Sequence, residues 1–181
     1  MNGERLVLEH EGVYLFQDGF SSASVAPVIK WILDANINRK VKKLDHLTLI
    51  INSPGGSCSA CFALIDIMNG SKIPVRTVGL GMIASCGFLT FISGQKGHRI
   101  LTPNTSIMSH QYAWGSGGKY HELVADRKEQ DEMDRRMLKI YKRCTGLSEK
   151  KIKEILLPES DVWLTATEAK KLGVCDGIKN V

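Results

Sequence analysis

The segment that most constrains the fold is Leu47-Thr-Leu-Ile-Ile51, followed at once by Asn52-Ser53-Pro54-Gly55-Gly56. The run from 47 to 51 has no alternating polar face, so it reads as a strand covered on both sides, as in the interior of a parallel sheet. Pro54 and the glycine pair end it in a tight turn. Apolar residues then recur at helical spacing over Ser57–Asn69, with Gly70 placed as the C-cap. Parallel neighbours cannot be joined by hairpins and need long crossovers, usually helices. One segment therefore commits the chain to βαβ units.

The rest of the sequence repeats this alternation. Val13–Phe16 is a short strand, and Ser21–Ser24 offers N-caps to a helix carrying Val25, Ile29, Ile32 and Leu33. Val75–Leu80 is a strand, Ala84–Ile92 a short helix, and His98–Leu101 and Ser106–Ser109 are strands around Pro103-Asn104. Beyond the loop Gly115–Gly118, a helical stripe runs from Tyr120 to Cys144 through Tyr120, Leu123, Val124, Met133, Met137, Ile140 and Tyr141. Between Asp126 and Glu132 this helix is polar all round, so its middle projects or meets a partner rather than lying on a core. Thr145-Gly146 ends it, and Thr165-x-x-Glu168 is a capping box for a last short helix closed by Gly173. The expected class is α/β, in one domain of 181 residues with no repeat or linker-like break.

Composition excludes several functions. At 43% hydrophobic and 24% charged residues the chain is neither disordered nor low-complexity. No apolar run approaches the length of a membrane span; Ile73–Thr90 is broken by Arg76 and by Pro74, Gly79, Gly81 and Gly87. Net charge is +5, but the basic clusters Arg39–Lys43 and Lys150–Lys153 have acids beside them, so no one-sided surface for nucleic acid is expected. Five cysteines at irregular spacing are not a disulfide framework, and the N-terminus lacks the apolar core of a secretion signal. A reducing, cytoplasmic setting follows. Cys58-x-x-Cys61 lacks the second pair that a zinc site wants, and reads as small apolar residues in the first turn of a helix. No metal is expected.

Three segments could carry chemistry. Ser85 follows a strand and opens a helix among the small residues Ala84, Cys86 and Gly87. It is either a plain N-cap or a nucleophile at a helix N-terminus, where free N–H groups favour developing negative charge. The order is not Gly-x-Ser-x-Gly, so the α/β-hydrolase elbow motif does not apply. His110 follows a strand and enters a glycine-rich loop; it is either structural or a base facing a cleft. Asp161, just before Val162-Trp163, would be a partly buried carboxylate in need of a partner. The turn at 52–56 is either a simple strand-to-helix turn or, through its free N–H groups, one side of an oxyanion hole.

Together the segments are far more specific. Ile51-Asn-Ser-Pro-Gly-Gly56, Gly81-Met-Ile-Ala-Ser85, Gly94-Gln-Lys-Gly-His-Arg99 and Pro103-Asn-Thr-Ser-Ile-Met-Ser-His-Gln111 closely resemble the proteolytic subunits of the Clp protease family, in order and over about Val13 to Ile178. The separation 110 − 85 = 25 is also the family's. The resemblance implies a ClpP/crotonase-like spiral of βαβ units with a projecting strand-helix handle at about 113–144. It implies a Ser-His-Asp serine endopeptidase cutting unfolded polypeptides and short peptides, with nucleophile, base and acid on Ser85, His110 and Asp161. Oxyanion donors fall on the N–H groups of Gly56 and Cys86. Extended substrate falls between Gly55, Ser57 and Cys58 on one side and Ala113, Trp114 and Gly115 on the other. No cofactor is implied. The expected partners are further copies of the chain, as heptameric rings stacked into a tetradecamer around a closed chamber, and an AAA+ unfoldase that alone uses ATP.

Departures bear on assembly and partner. Ser160 stands where the family usually has an arginine of the ring-to-ring contact, and Tyr112 where it has proline. Only 12 residues precede Val13, and Ile50 and Ile100 replace aromatics of the unfoldase-docking pocket. The expectation is a double ring that separates readily and a weak or dedicated unfoldase. Two alternatives keep the fold and lose the peptidase. An acyl-CoA enzyme would not need Ser85, His110 and Asp161 together, and a catalytically silent ring subunit would have lost one of them. A related membrane-associated Ser-Lys peptidase would need an anchor and a lysine base.

Overall fold

The computed structural model describes residues 8–180 of the chain. Most of the expectation about a short N-terminus concerns residues 1–7, which lie outside them. The order is β1 (Val13–Phe16), α1 (Ser22–Ile37), α2 (Arg39–Lys42), β2 (Leu47–Ser53), α3 (Cys58–Gly70), β3 (Val75–Ala84), α4 (Cys86–Ile92), β4 (Arg99–Leu101), β5 (Ser106–Ser109), α5 (Tyr120–Thr145), α6 (Glu149–Ile155), β6 (Val162–Leu164), α7 (Ala166–Lys171) and β7 (Gly177–Ile178). The sheet runs β1-β2-β3-β4-β7, with β5 on the far half of β3 and β6 beyond β5. Among the described residues, only the β5–β6 pairing is antiparallel. The α/β expectation holds, and β2 is an interior strand between β1 and β3: Leu47, Leu49 and Ile51 are fully buried.

Local chemistry explains most boundaries. Ser21 caps α1 through a reciprocal pair with Ser24, and Ser57 caps α3. The Thr165 and Glu168 side chains close the capping box of α7. Several boundaries differ from the sequence reading. β2 runs on to Ser53, α4 begins at Cys86 and not at Ala84, and Gly70 stays inside α3 with Ser71 as the C-cap. β3 continues four residues past Leu80, because a bend at Gly81 (φ +65°) carries the strand on. The Asn52 side chain accepts from Met82 N–H at the bend. Before it β3 pairs with β4; after it β3 pairs with β5. That switch brings β5, and the residue after it, beside the end of β3.

The core lies between the sheet and α1, α3 and α4, with Phe88, Phe91, Leu64 and Ile65 fully enclosed. α5 divides in two. Its second half buries Met133, Met137 and Tyr141, whereas Tyr120, Leu123 and Val124 in its first half are exposed. At about 1.5 Å per residue its 26 residues span about 39 Å. Its base is clamped by Arg99, which is 2% exposed. That guanidinium pairs with Asp176 and also donates to the carbonyls of Cys144 and Gly173.

Candidate active site

Ser85 stands where β3 ends and α4 begins, at φ 54°, ψ −118°. A non-glycine residue is rarely found there, and such strain costs roughly 1–3 kcal/mol. Its hydroxyl makes no capping bond, which removes the N-cap reading. The conformation is instead imposed from both sides: Ser85 N–H donates to Met108 O in β5, and Ser85 O accepts from Leu89 N–H in α4. A strained strand-to-helix turn thus presents the hydroxyl, although the Gly-x-Ser-x-Gly motif is absent.

His110 is the residue that follows β5, and its Nε2 lies 2.8 Å from Ser85 Oγ. With the ring proton on Nδ1, the serine hydroxyl donates to Nε2. Nδ1 lies 3.5 Å from Asp161 Oδ1. The antiparallel pairing of Ser109 with Val162 places Asp161 there. The Gln111 side chain also donates to the carbonyls of Leu157 and Pro158 on the same segment. The expectation of a partly buried carboxylate is corrected: the Asp161 side chain is 58% exposed, against 26% for His110. β6 is short and lies at the sheet's margin, and Trp163 beside Asp161 is itself exposed.

The turn at 52–56 packs directly on Ser85. A Cβ on Gly55 would lie 2.6 Å from Ser85 Cβ and 2.9 Å from Ala84 O, and φ is +98°. Only glycine permits this approach. Phe20 braces the turn by donating to Gly55 O and accepting from Ser57 N–H. The Ser53 hydroxyl accepts from Gly55 N–H and donates to Asp18 O. Among the described residues, neither Gly56 N–H nor Cys86 N–H has a protein acceptor. Two free donors beside a serine hydroxyl suit an oxyanion.

Cys58 and Cys86 also lie beside Ser85. The Cys58 thiol is raised well above its usual range by its hydrogen bond to Cys86 and by burial. For Cys86 the contact with Cys58 works downwards, but the contact with Cys61 and burial outweigh it and raise the thiol strongly. The Cys86 thiol donates to Gly56 O across 3.2 Å. Both shifts favour the protonated thiol, which is a poor nucleophile. All five cysteines are free, and the described residues contain no cluster of three or more His, Cys, Asp or Glu side chains that could hold a metal ion.

The expected substrate-contacting residues divide. Gly55 packs on Ser85, Cys58 lines the pocket with it and Ser57 lies between them in sequence as the N-cap of α3, whereas Ala113, Trp114 and Gly115 lie in an exposed segment outside any helix or strand, just past Tyr112. The sequence reading missed the pocket's interior: Leu89, Met137 and Tyr141 line it with Ser85 and His110. The Tyr141 hydroxyl is bonded to Ser109 Oγ at 2.9 Å, one residue before the histidine. The helical stripe of α5 contains Met137 and Tyr141, but nothing local ties them to Ser85.

The sequence model of the Clp protease family matches residues 13–181. The chain belongs to the Clp protease family. It is 33% identical to ATP-dependent Clp protease proteolytic subunit 1 of Chlamydia abortus over 179 residues, which is 97% of this chain and 89% of that protein. It is 38% identical to the chloroplastic proteolytic subunit 3 of Arabidopsis thaliana over 132 residues, 73% of this chain and 42% of that protein. The mostly parallel α/β sheet agrees with the Clp protease fold. The chain is a Clp-type serine peptidase subunit, and the acyl-CoA alternative is not favoured. No helix among the described residues is long and apolar enough to cross a membrane.

Proposed function

We propose that Ser85, His110 and Asp161 are the nucleophile, general base and orienting acid of a Clp-type endopeptidase that cuts unfolded polypeptides and short peptides. The observation that carries this reading is the 2.8 Å contact between His110 Nε2 and a serine hydroxyl that caps nothing. His110 takes the hydroxyl proton as Ser85 attacks a peptide carbonyl. The N–H groups of Gly56 and Cys86 hold the oxyanion, and His110 then protonates the leaving amine. Water repeats the sequence on the acyl-enzyme. Asp161 holds the imidazole in the required tautomer. Extended substrate lies between Gly55, Ser57 and Cys58 and the segment Ala113, Trp114 and Gly115. The chemistry calls for no metal or organic cofactor.

The family relationship supports oligomeric assembly and partnership with a Clp ATPase. The finer reading is a heptameric ring, stacked as a tetradecamer, in which residues 113–144 are a handle against another copy. The exposed Tyr120, Leu123 and Val124 support that role. ATP would be hydrolysed by the unfoldase alone. Ser160, Ile50 and Ile100 support a weaker double ring and a weak or dedicated unfoldase. Five free cysteines support a reducing compartment, which we take to be the cytoplasm.

Labelling with a fluorophosphonate and mapping the adduct tests the site. Modification at Ser85, lost in Ser85→Ala together with about 10⁶-fold of turnover, is expected. An adduct elsewhere, or retained activity, overturns the assignment. Sedimentation tests the assembly: seven or fourteen copies of the 20.0 kDa chain are expected, and a monomer contradicts it.

A further inference from the structure

The pocket beside Ser85 is nearly shut. Its free volume is about 10 Å³, roughly the space one water needs. Most of its wall is buried, hydrogen-bonded or part of a helix. Leu89, Cys86, Met137 and Tyr141 are buried, and the Tyr141 hydroxyl is held by Ser109. His110 is held against Ser85, and Cys58 is the first residue of α3.

Tyr112 is the lining residue that leads into the exposed residues 113–115; it lies beyond the end of β5 and is half-buried. Its ring meets Trp114 edge-on at 6.3 Å, and its hydroxyl donates to the Gln130 carbonyl in the first half of α5 at 2.9 Å. That hydrogen bond ties this wall of the pocket to a helix whose first half is largely exposed.

We propose that Tyr112 is the specificity-determining residue of this peptidase: latched to Gln130, its ring closes the pocket beside Ser85 to all but small side chains on the acyl side of the cut. The inference rests on Ser85 being the nucleophile, because only then does the adjacent pocket receive that side chain. A methyl group fits where a water fits, whereas an isobutyl or benzyl group requires the ring to swing out and the Gln130 bond to break. The cost of breaking it falls on large side chains alone.

The test compares kcat/KM for peptidyl-coumarin substrates that differ only in Ala, Leu or Phe at the cut. Wild type, Tyr112→Phe and Tyr112→Ala are assayed, each also labelled with a fluorophosphonate. Wild type is expected to prefer Ala over Leu and Phe by about 10-fold or more. Tyr112→Phe keeps the ring and removes the latch, and should raise the Leu/Ala and Phe/Ala ratios by about 3- to 10-fold, the range for one lost neutral hydrogen bond. Tyr112→Ala should raise them further. A wild type that labels at Ser85 yet cuts after Leu as fast as after Ala overturns the latch while leaving the nucleophile standing. An unchanged ratio in Tyr112→Phe does the same, and it does so even if Tyr112→Ala fails to fold. Absence of labelling at Ser85 overturns the nucleophile assignment, and this inference with it.

Discussion

Replacing Asp161 by Asn should slow this peptidase far less than the same change slows an enclosed triad. Where the acid is buried, the wrong histidine tautomer costs about 10⁴-fold. Here the carboxylate stands 3.5 Å from Nδ1 and is 58% exposed. At that separation its attraction for the imidazolium is about 1 kcal/mol in a fully aqueous medium and about 5 kcal/mol at the effective dielectric of a protein surface. These correspond to about 10-fold and about 3,000-fold in rate. Exposure weights the result towards the aqueous limit, so kcat/KM for a short peptide should fall about 10- to 100-fold in Asp161→Asn, with the fold intact. The assay is peptide hydrolysis at low and high ionic strength. Salt screens exposed charges, so the gap between wild type and variant should narrow as salt rises. A loss of about 10⁴-fold, insensitive to salt, would refute the reasoning and mean that the acid is enclosed in the working assembly. A silent Asp161→Asn beside a damaging Glu159→Gln would mean that the neighbouring carboxylate serves instead.

Three further outcomes follow from the geometry. Gly55→Ala drives a Cβ into Ser85 and the Ala84 carbonyl, and should cost about 100-fold or more in kcat/KM by displacing the nucleophile, as read by peptide hydrolysis. Ser85→Gly should be more thermostable than Ser85→Ala by about 1 kcal/mol in thermal melts, reversing the usual order, because only glycine relaxes at φ 54°; equal stability would argue that Ser85 is unstrained. Asp176→Asn should lower unfolding stability at pH 7 by about 3–5 kcal/mol in urea titrations, because it leaves the Arg99 guanidinium buried and unpaired. Burial pushes the Asp176 carboxyl up, but its bonds from Arg99 and Gly97 outweigh this and hold it below its ordinary value. A carboxyl so lowered stabilises the fold above its unfolded pKa of about 3.9 and loses that contribution as the pH falls through the lower folded value, so wild type and variant should converge in strong acid.

Periodicity and punctuation, both local, make most of the fold readable in the sequence. The unbroken apolar run of β2 requires a parallel sheet, and the serine and threonine caps and Gly146 set the helix ends within a residue or two. Ser85 and His110 are legible as a pair only through their spacing and neighbouring motifs, since either residue alone reads equally well as structural. What the sequence does not contain is how far β3 runs and how deep each group lies. The bend at Gly81 carries β3 on to β5, and that long-range pairing brings His110 to Ser85. Asp161 is legible as the carboxylate near His110, yet its exposure is not, because the apolar residues after it lie at the sheet's margin instead of in the core. Tyr112 is visible only as an unexpected residue after His-Gln. Its place over the pocket depends on a carbonyl 18 residues away on α5, a contact between segments that no local pattern records.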